Sequence, residues 1–171
     1  LKKPEKSKIV EKEEQQSRQL RGEQKMTMFT IGYEGRTLKD YLDILTANDV
    51  CMLIDVRKNP ISRKRGFSKI FMKSFVEAAG IEYQHIPQLG IDSVRRKTLK
   101  SSADYEMLFQ WYREEILSNE VEALQKIVDA IRNHDRIALT CFEADPSMCH
   151  RRLVSEKVSE LLSGETMPVH L

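Results

Sequence analysis

Arg136-Ile137-Ala138-Leu139-Thr140-Cys141-Phe142-Glu143-Ala144-Asp145-Pro146-Ser147-Met148-Cys149-His150-Arg151-Arg152 reads as a buried strand, a short polar loop and the first turns of a helix. The apolar run 137–139 suits a strand covered on both faces. Asp145 is a good N-cap, and Pro146 fits the first helical position, where its missing N–H costs nothing. On this reading Cys149, His150 and Arg151 lie in the first two turns of the helix. Free N–H groups and the positive end of the helix dipole favour anions there and lower a thiol's pKa, and the two cationic neighbours push the same way. Each residue also has a plainer role: Asp145 as a cap alone, Cys141 as a small core residue, Cys149 as a core thiol beside two surface residues.

Outward from this junction, strands and helices alternate. Residues 28–31 read as a first strand, and Thr37 with Asp40 three positions on forms a capping box for a helix to 48. A near-continuous apolar strand spans 50–56. After a basic loop, a helix spans 68–79 with Gly80 as its stop, followed by a strand at 81–86. A polar stretch, 87–102, precedes helices at 103–117 and 120–133. The strand at 137–141 leads into the last helix, which runs to 162, and 168–171 reads as a closing edge strand. Alternation of this kind predicts one α/β domain over 26–171, a three-layer, Rossmann-like, mostly parallel sheet with helices on both faces. Residues 1–25 are dense in Lys, Glu and Gln and too poor in apolar residues to fold alone, so they read as a charged extension, helical if docked and otherwise disordered.

Ligands of doubly wound sheets bind beyond the carboxyl ends of the strands, where the strand order reverses. The unusual residues all fall on such ends: Gly32, Tyr33 and Gly35 after the first strand, Asp55 and Arg57 after the second, His85 after the third, Cys141 and Glu143 after the fourth. Gly32 and Gly35 permit a tight turn that either presents N–H groups to a phosphate or simply enters the next helix. Asp55 and Arg57, one residue apart on an extended backbone, point to one face, as a structural ion pair or a substrate clamp. Neither a GxGxxG nor a GxxxxGK[ST] pattern occurs, so no dinucleotide or triphosphate motif is present. Cysteine phosphatases and rhodaneses need a thiolate cradled by a short loop that ends in Arg. From Cys141 the next Arg is ten positions on and from Cys149 it is two, so neither loop fits.

The segments Thr30-Ile31-Gly32-Tyr33-Glu34-Gly35, Ile54-Asp55-Val56-Arg57 and Cys141-Phe142-Glu143-Ala144-Asp145-Pro146-Ser147-Met148-Cys149-His150-Arg151 together resemble the domain of unknown function 488 family in order and spacing, over about residues 29–171. Where that family opens on a Thr-Ile-Gly-His-Ser-like turn, this chain has Tyr33-Glu34 in place of the His-Ser pair. The resemblance implies a compact α/β domain and no established reaction.

The chain has 171 residues, 40% hydrophobic and 32% charged, as expected of a soluble one-domain protein. It has no apolar run of bilayer length, so no membrane association and a cytoplasmic location are expected. Three cysteines argue against a disulfide framework. Seven basic and no acidic residues lie between 57 and 76, and Arg95, Arg96, Lys97 and Lys100 lie in a second acid-free stretch.

Expected site residues follow. Glu143 is the general acid/base, Cys149 the nucleophile or polarised thiol, with Asp55 alongside; Gly32, Tyr33, Arg57, Cys141, His150 and Arg151 bind substrate, Arg57 and Arg151 holding its anion. No cofactor and no metal are assigned. Zinc on Cys141, Cys149 and His150, with Glu143, His85 or water as fourth ligand, lacks the paired spacing of common zinc motifs. The expected partner is a phosphate-bearing small molecule, a nucleotide or nucleic acid. Two other readings stay open: a non-catalytic nucleic-acid-binding module that uses the basic stretches 57–73 and 95–100, and a partner-binding accessory whose basic runs are solvated loops.

Overall fold

Phe29, Ile31, Leu53 and Ala138 face one side of the sheet while Met28, Ile54, Ile137 and Leu139 face the other, so both faces need a cover. The computed structural model describes residues 26–97 and 99–171, and the extension expected at 1–25 lies outside the described residues. Strands β1 (Thr27–Gly32), β2 (Met52–Asp55), β3 (Glu82–His85), β4 (Arg136–Cys141) and β5 (Pro168–His170) form one sheet in the order β3-β2-β4-β1-β5. Every pairing is parallel, the edge strand β5 included. The expected α/β fold is correct, and the sheet is wholly rather than mostly parallel.

Helices α1 (Leu38–Ala47) and α2 (Lys69–Ala78) pack on the first face, where Tyr41, Leu45, Met72 and Val76 join Phe67 and Ile31. Four helices follow in the second half of the chain. They are α3 (Ser93–Arg96), α4 (Ser102–Trp111), α5 (Val121–His134) and α6 (His150–Leu161), and residues of α4, α5 and α6 build the core on the opposite face. The capping box expected for α1 is present, with Thr37 and Asp40 bonded reciprocally. Ser101 and Asp104 cap α4 in the same way. Beyond Trp111 the helix widens into a π turn, Tyr112–Leu117, which buries Tyr112 with its hydroxyl donating to the Leu89 carbonyl.

Three local expectations change. The polar stretch after β3 holds a 3₁₀ turn, Pro87–Leu89, and the short helix α3, where the Val94 N–H donates to the Asp92 side chain. Cys51 does not begin a buried strand: β2 starts at Met52, and the Cys51 thiol is exposed. Finally, α6 begins at His150 rather than at Pro146. Asp145 caps only the 3₁₀ turn Pro146–Met148, and Cys149, extended at φ −129° and ψ 135°, breaks the helical path before α6.

The chain leaves β2 toward β3 over the first face and leaves β4 toward β5 over the second, so the strand order reverses between two neighbours. A crevice opens there by topology alone.

Three tyrosines anchor the domain in neutral form. Burial lifts Tyr41, Tyr83 and Tyr112 above the usual phenol range; the negative charge of Asp55 adds to the effect on Tyr41 and Tyr83, and that of Cys141 on Tyr112. Their pKa values are higher folded than unfolded, so their contribution to stability is complete below the unfolded value, about 10, and is lost as pH rises above it. Urea midpoints are therefore expected to fall between about pH 9 and pH 11, and a midpoint unchanged over that interval would contradict it.

Candidate functional site

Gly32 ends β1 against the loop that follows β4. A Cβ at Gly32 would stand 1.8 Å from the Glu143 carbonyl oxygen, so only glycine lets the two segments approach. The N–H groups of Tyr33 and Glu34 then donate to the Cys141 and Phe142 carbonyls, and the Glu34 carboxylate accepts from the Ala144 N–H. The turn expected to present N–H groups to a phosphate thus spends two of them on holding the β4 loop in place. Gly32→Ala is expected to cost about 2 kcal/mol by forcing the segments apart. A urea midpoint within error of the parent would show that the loop yields freely.

Asp55 and Arg57 meet as the sequence pattern requires, but inside the protein. The Asp55 carboxylate accepts from Arg57 Nε at 2.8 Å, from Arg57 Nη2 and from the Tyr83 hydroxyl at 2.7 Å. Arg57 Nη1 donates to the Tyr33 hydroxyl and to the Phe67 carbonyl, and Nη2 also meets the Met72 sulfur. All five N–H groups of the guanidinium therefore face protein atoms. Gly90 packs on the Arg57-Lys58 backbone so closely that a Cβ would stand 2.0 Å from the Lys58 nitrogen.

Arg151 is wholly buried. It bonds the Thr30 hydroxyl and the carbonyls of Glu143 and Ala144, which clasps the β4 loop from behind. Its expected role as an anion holder meets the same obstacle as that of Arg57, since both guanidinium groups are turned inward.

The residue that sequence reasoning did not single out is Arg96. At the end of α3 its Nη1 pairs with Glu143 Oε1, and its Nη2 lies 2.6 Å from His150 Nδ1. His150 is buried at the start of α6. Its Nε2 lies 3.0 Å from the Val56 carbonyl, a pure acceptor, so Nε2 carries the proton and Nδ1 presents a lone pair. Cys141 Sγ is 3.8 Å and Cys149 Sγ 4.0 Å from that Nδ1, and the imidazole edge meets the Tyr112 ring at 5.5 Å.

The two thiols differ in acidity. Burial pushes Cys141 up, but the hydrogen bond with the Cys149 thiol and the positive charge of the Arg96 guanidinium work against it, and Cys141 is held well below the ordinary thiol range. Cys149 is raised well above that range by burial and by the negative charge of Cys141. A lowered Cys149 was expected because residues 149–151 were placed within the helix. Cys149 instead precedes α6 and is fully enclosed, and the easier proton loss falls to Cys141. Glu143 is held above the usual carboxylate range, mainly by burial and then by Cys141, and its Oε2 has no hydrogen-bond partner.

A cavity of about 300 Å³ opens over the carboxyl ends of β2 and β4. Arg57, Lys58, Arg63 and Arg96 supply its cations; Tyr33, Ile61, Ile91 and Phe142 its apolar surface; Asn59, Ser62 and Ser93 polar groups; and Cys141 and His150 the remaining chemistry. No acidic residue lines it. Of the expected site residues it includes Tyr33, Arg57, Cys141 and His150, whereas Gly32, Asp55, Glu143, Cys149 and Arg151 lie behind its wall.

A family model described as "Domain of unknown function DUF488" matches residues 37–158, more than half of the chain. No curated protein and no solved structure matches the chain.

Proposed function

The chain belongs to the family of the domain of unknown function DUF488, a membership that carries no reaction, and from the site itself we propose an enzyme acting on a phosphate-bearing substrate of nucleotide size. One observation carries the reading: the cavity at the strand-order reversal has four cationic side chains and no acidic one in its lining. Fixed positive charge in a concave, partly apolar setting draws phosphate and retains it. Lys58 and Arg63 are exposed and make no ion pair among the described residues, so their donors are available to a ligand. Tyr33 and Phe142, edge to face at 5.3 Å, offer an aromatic wall for a flat ring.

Catalytic work falls to two groups. Cys141 is the thiol that borders the cavity. Glu143, paired with Arg96 behind the cavity lining, is the carboxyl that becomes the general acid/base when a bound anion draws Arg96 away from it. Asp55, Arg57 and Arg151 are positioning residues, which fix the strand ends from which these side chains project.

The nucleic-acid-binding alternative draws on cations that are partly committed elsewhere. Arg57 is buried on Asp55, Lys64 donates to the Tyr33 carbonyl, Arg95 lies 3.8 Å over the Trp111 ring and Arg96 pairs with Glu143. The two readings separate by calorimetric titration with a nucleoside monophosphate and with a single-stranded polynucleotide at two salt concentrations. Saturable binding of the small phosphate ester, one per chain, with weak polynucleotide binding, is expected. Tight polynucleotide binding with no uptake of the small ester would transfer the function to the binding module.

A further inference from the structure

We propose that Cys141, Cys149 and His150 form a binding site for a borderline-soft divalent cation, with zinc as the reference ion. The inference does not require the phosphate-binding reading, although it shares Cys141 with it, and rests on a cluster of which Cys141 and His150 line the cavity and Cys149 does not. Cys141 Sγ, Cys149 Sγ and a His150 ring nitrogen all lie within 4.8 Å of one another, and all three residues are buried. The Nδ1 to sulfur separations are 3.8 and 4.0 Å. Tetrahedral zinc with ordinary Zn–S and Zn–N bonds sets its ligand atoms about 3.5–3.8 Å apart, so the nitrogen–sulfur separations close by a few tenths of an ångström and the sulfur–sulfur separation, within 4.8 Å, by at most about 1 Å.

The imidazole is oriented for this use. A ligating histidine generally gives its other ring N–H to a carbonyl or carboxylate, which fixes the tautomer and aims the free lone pair at the metal. In this chain Nε2 meets the Val56 carbonyl at 3.0 Å, which leaves Nδ1, within 4.0 Å of both sulfurs, as the ring nitrogen with a lone pair. The three ligands stand on firm parts of the fold. Cys141 ends a central strand, and Cys149 and His150 form the cap and first residue of a helix packed on that sheet. Their spacing, seven residues between the cysteines, lacks the short paired pattern because the sheet rather than a local knuckle brings them together.

Water entering from the cavity is the fourth ligand; the Glu143 carboxylate, whose Oε2 is buried without a hydrogen-bond partner, stands outside the group of three. Three protein ligands with the fourth position toward a cavity describe a reactive rather than a purely structural zinc site.

One side chain competes with the ion. The guanidinium of Arg96 occupies the Nδ1 lone pair and Glu143 Oε1, so two thiols, an imidazole and a carboxylate already surround a positive charge. A divalent cation must displace that guanidinium, and both thiols give up their protons when they ligate it. Arg96→Ala is therefore expected to tighten cation binding about tenfold, one lost charge-assisted contact by the usual conversion. The same change weakens phosphate binding under the functional reading, so the two proposals respond to one substitution with opposite signs.

The test uses cobalt(II) as a spectroscopic probe on the reduced chain, followed by zinc displacement. Expected are one cobalt per chain, intense visible bands of tetrahedral coordination, a near-ultraviolet thiolate charge-transfer band, and loss of all three when zinc is added. Cys51→Ser, at the exposed thiol, should leave the spectrum unchanged, and Cys149→Ser should abolish the charge-transfer band or shift it. Because Cys149→Ser alters the core, the unsubstituted chain decides by itself. Absence of a tetrahedral cobalt spectrum at micromolar cobalt, or a spectrum that disappears in Cys51→Ser, overturns the site, whatever the outcome of the phosphate titration.

Discussion

Asp55→Ala is expected to destabilise the protein by about 3–5 kcal/mol, because it strands the Arg57 guanidinium in the interior without its counter-charge. Arg57 is 6% exposed and Asp55 not at all, so water cannot replace the lost carboxylate without opening the sheet edge. The Tyr83 hydroxyl loses its acceptor in the same step. Total stabilities of domains this size are about 5–15 kcal/mol, so the loss is large enough to unfold a substantial fraction of the protein at modest denaturant. Asp55→Asn keeps shape and one acceptor and should cost less. Arg57→Ala should cost a similar amount to Asp55→Ala, whereas replacing both by apolar residues of similar volume should recover part of the loss. Urea unfolding of the four variants measures this. If Asp55→Ala shifts stability by less than about 1 kcal/mol, the pair is solvated in solution and Arg57 is free to serve a ligand.

The fold was legible where local chemistry decided it. The near-continuous apolar run in 50–56 and the apolar run 137–139 read as strands covered on both sides, and the box of Thr37 and Asp40 marks a helix start whatever surrounds it. Gly80, at φ +79°, occupies a left-handed position that glycine fills without strain, which is why it reads as a stop. The site was legible as a location, since strand ends carry the unusual residues of this chain, but not as an arrangement. An Asp-x-Arg pair looks the same in sequence whether it faces a ligand or a core. Its fate here depends on Tyr33 and Phe67, 24 and 10 residues from Arg57. Arg96 was hidden for a similar reason. It lies in a four-residue helix within a polar stretch, and its partners Glu143 and His150 are 47 and 54 residues away. Nothing periodic in its neighbourhood announces such contacts. Cys149 was misplaced by one assumption, that Pro146 opens a continuous helix. A 3₁₀ turn satisfies the same proline and the same aspartate cap.

Removing Lys58 and Arg63 together is expected to weaken binding of a nucleoside monophosphate about 100-fold, roughly 2.7 kcal/mol for two charge-assisted contacts. These two are the cavity's uncommitted cations, so the substitutions leave no interior partner stranded and the fold should be unaffected. Arg57 and Arg151 differ in this respect, because their donors hold Asp55 and the β4 loop and their loss acts through folding. Lys69 and Lys73, exposed on α2 and outside the cavity lining, should be replaceable by Ala with no change in affinity. Salt dependence adds an independent reading. A ligand held by two or three cations should show a shallow slope, whereas a polynucleotide tracking many of the eleven basic residues of the two stretches loses roughly 0.7 to 0.9 in log K per contact for each unit of log salt. Calorimetry on Lys58→Ala/Arg63→Ala and on Lys69→Ala/Lys73→Ala, each at two salt concentrations, sorts the outcomes. Equal losses in the two double variants would place the ligand along the basic surface of α2 rather than in the cavity, and the enzyme reading would then have lost the charge asymmetry on which it stands.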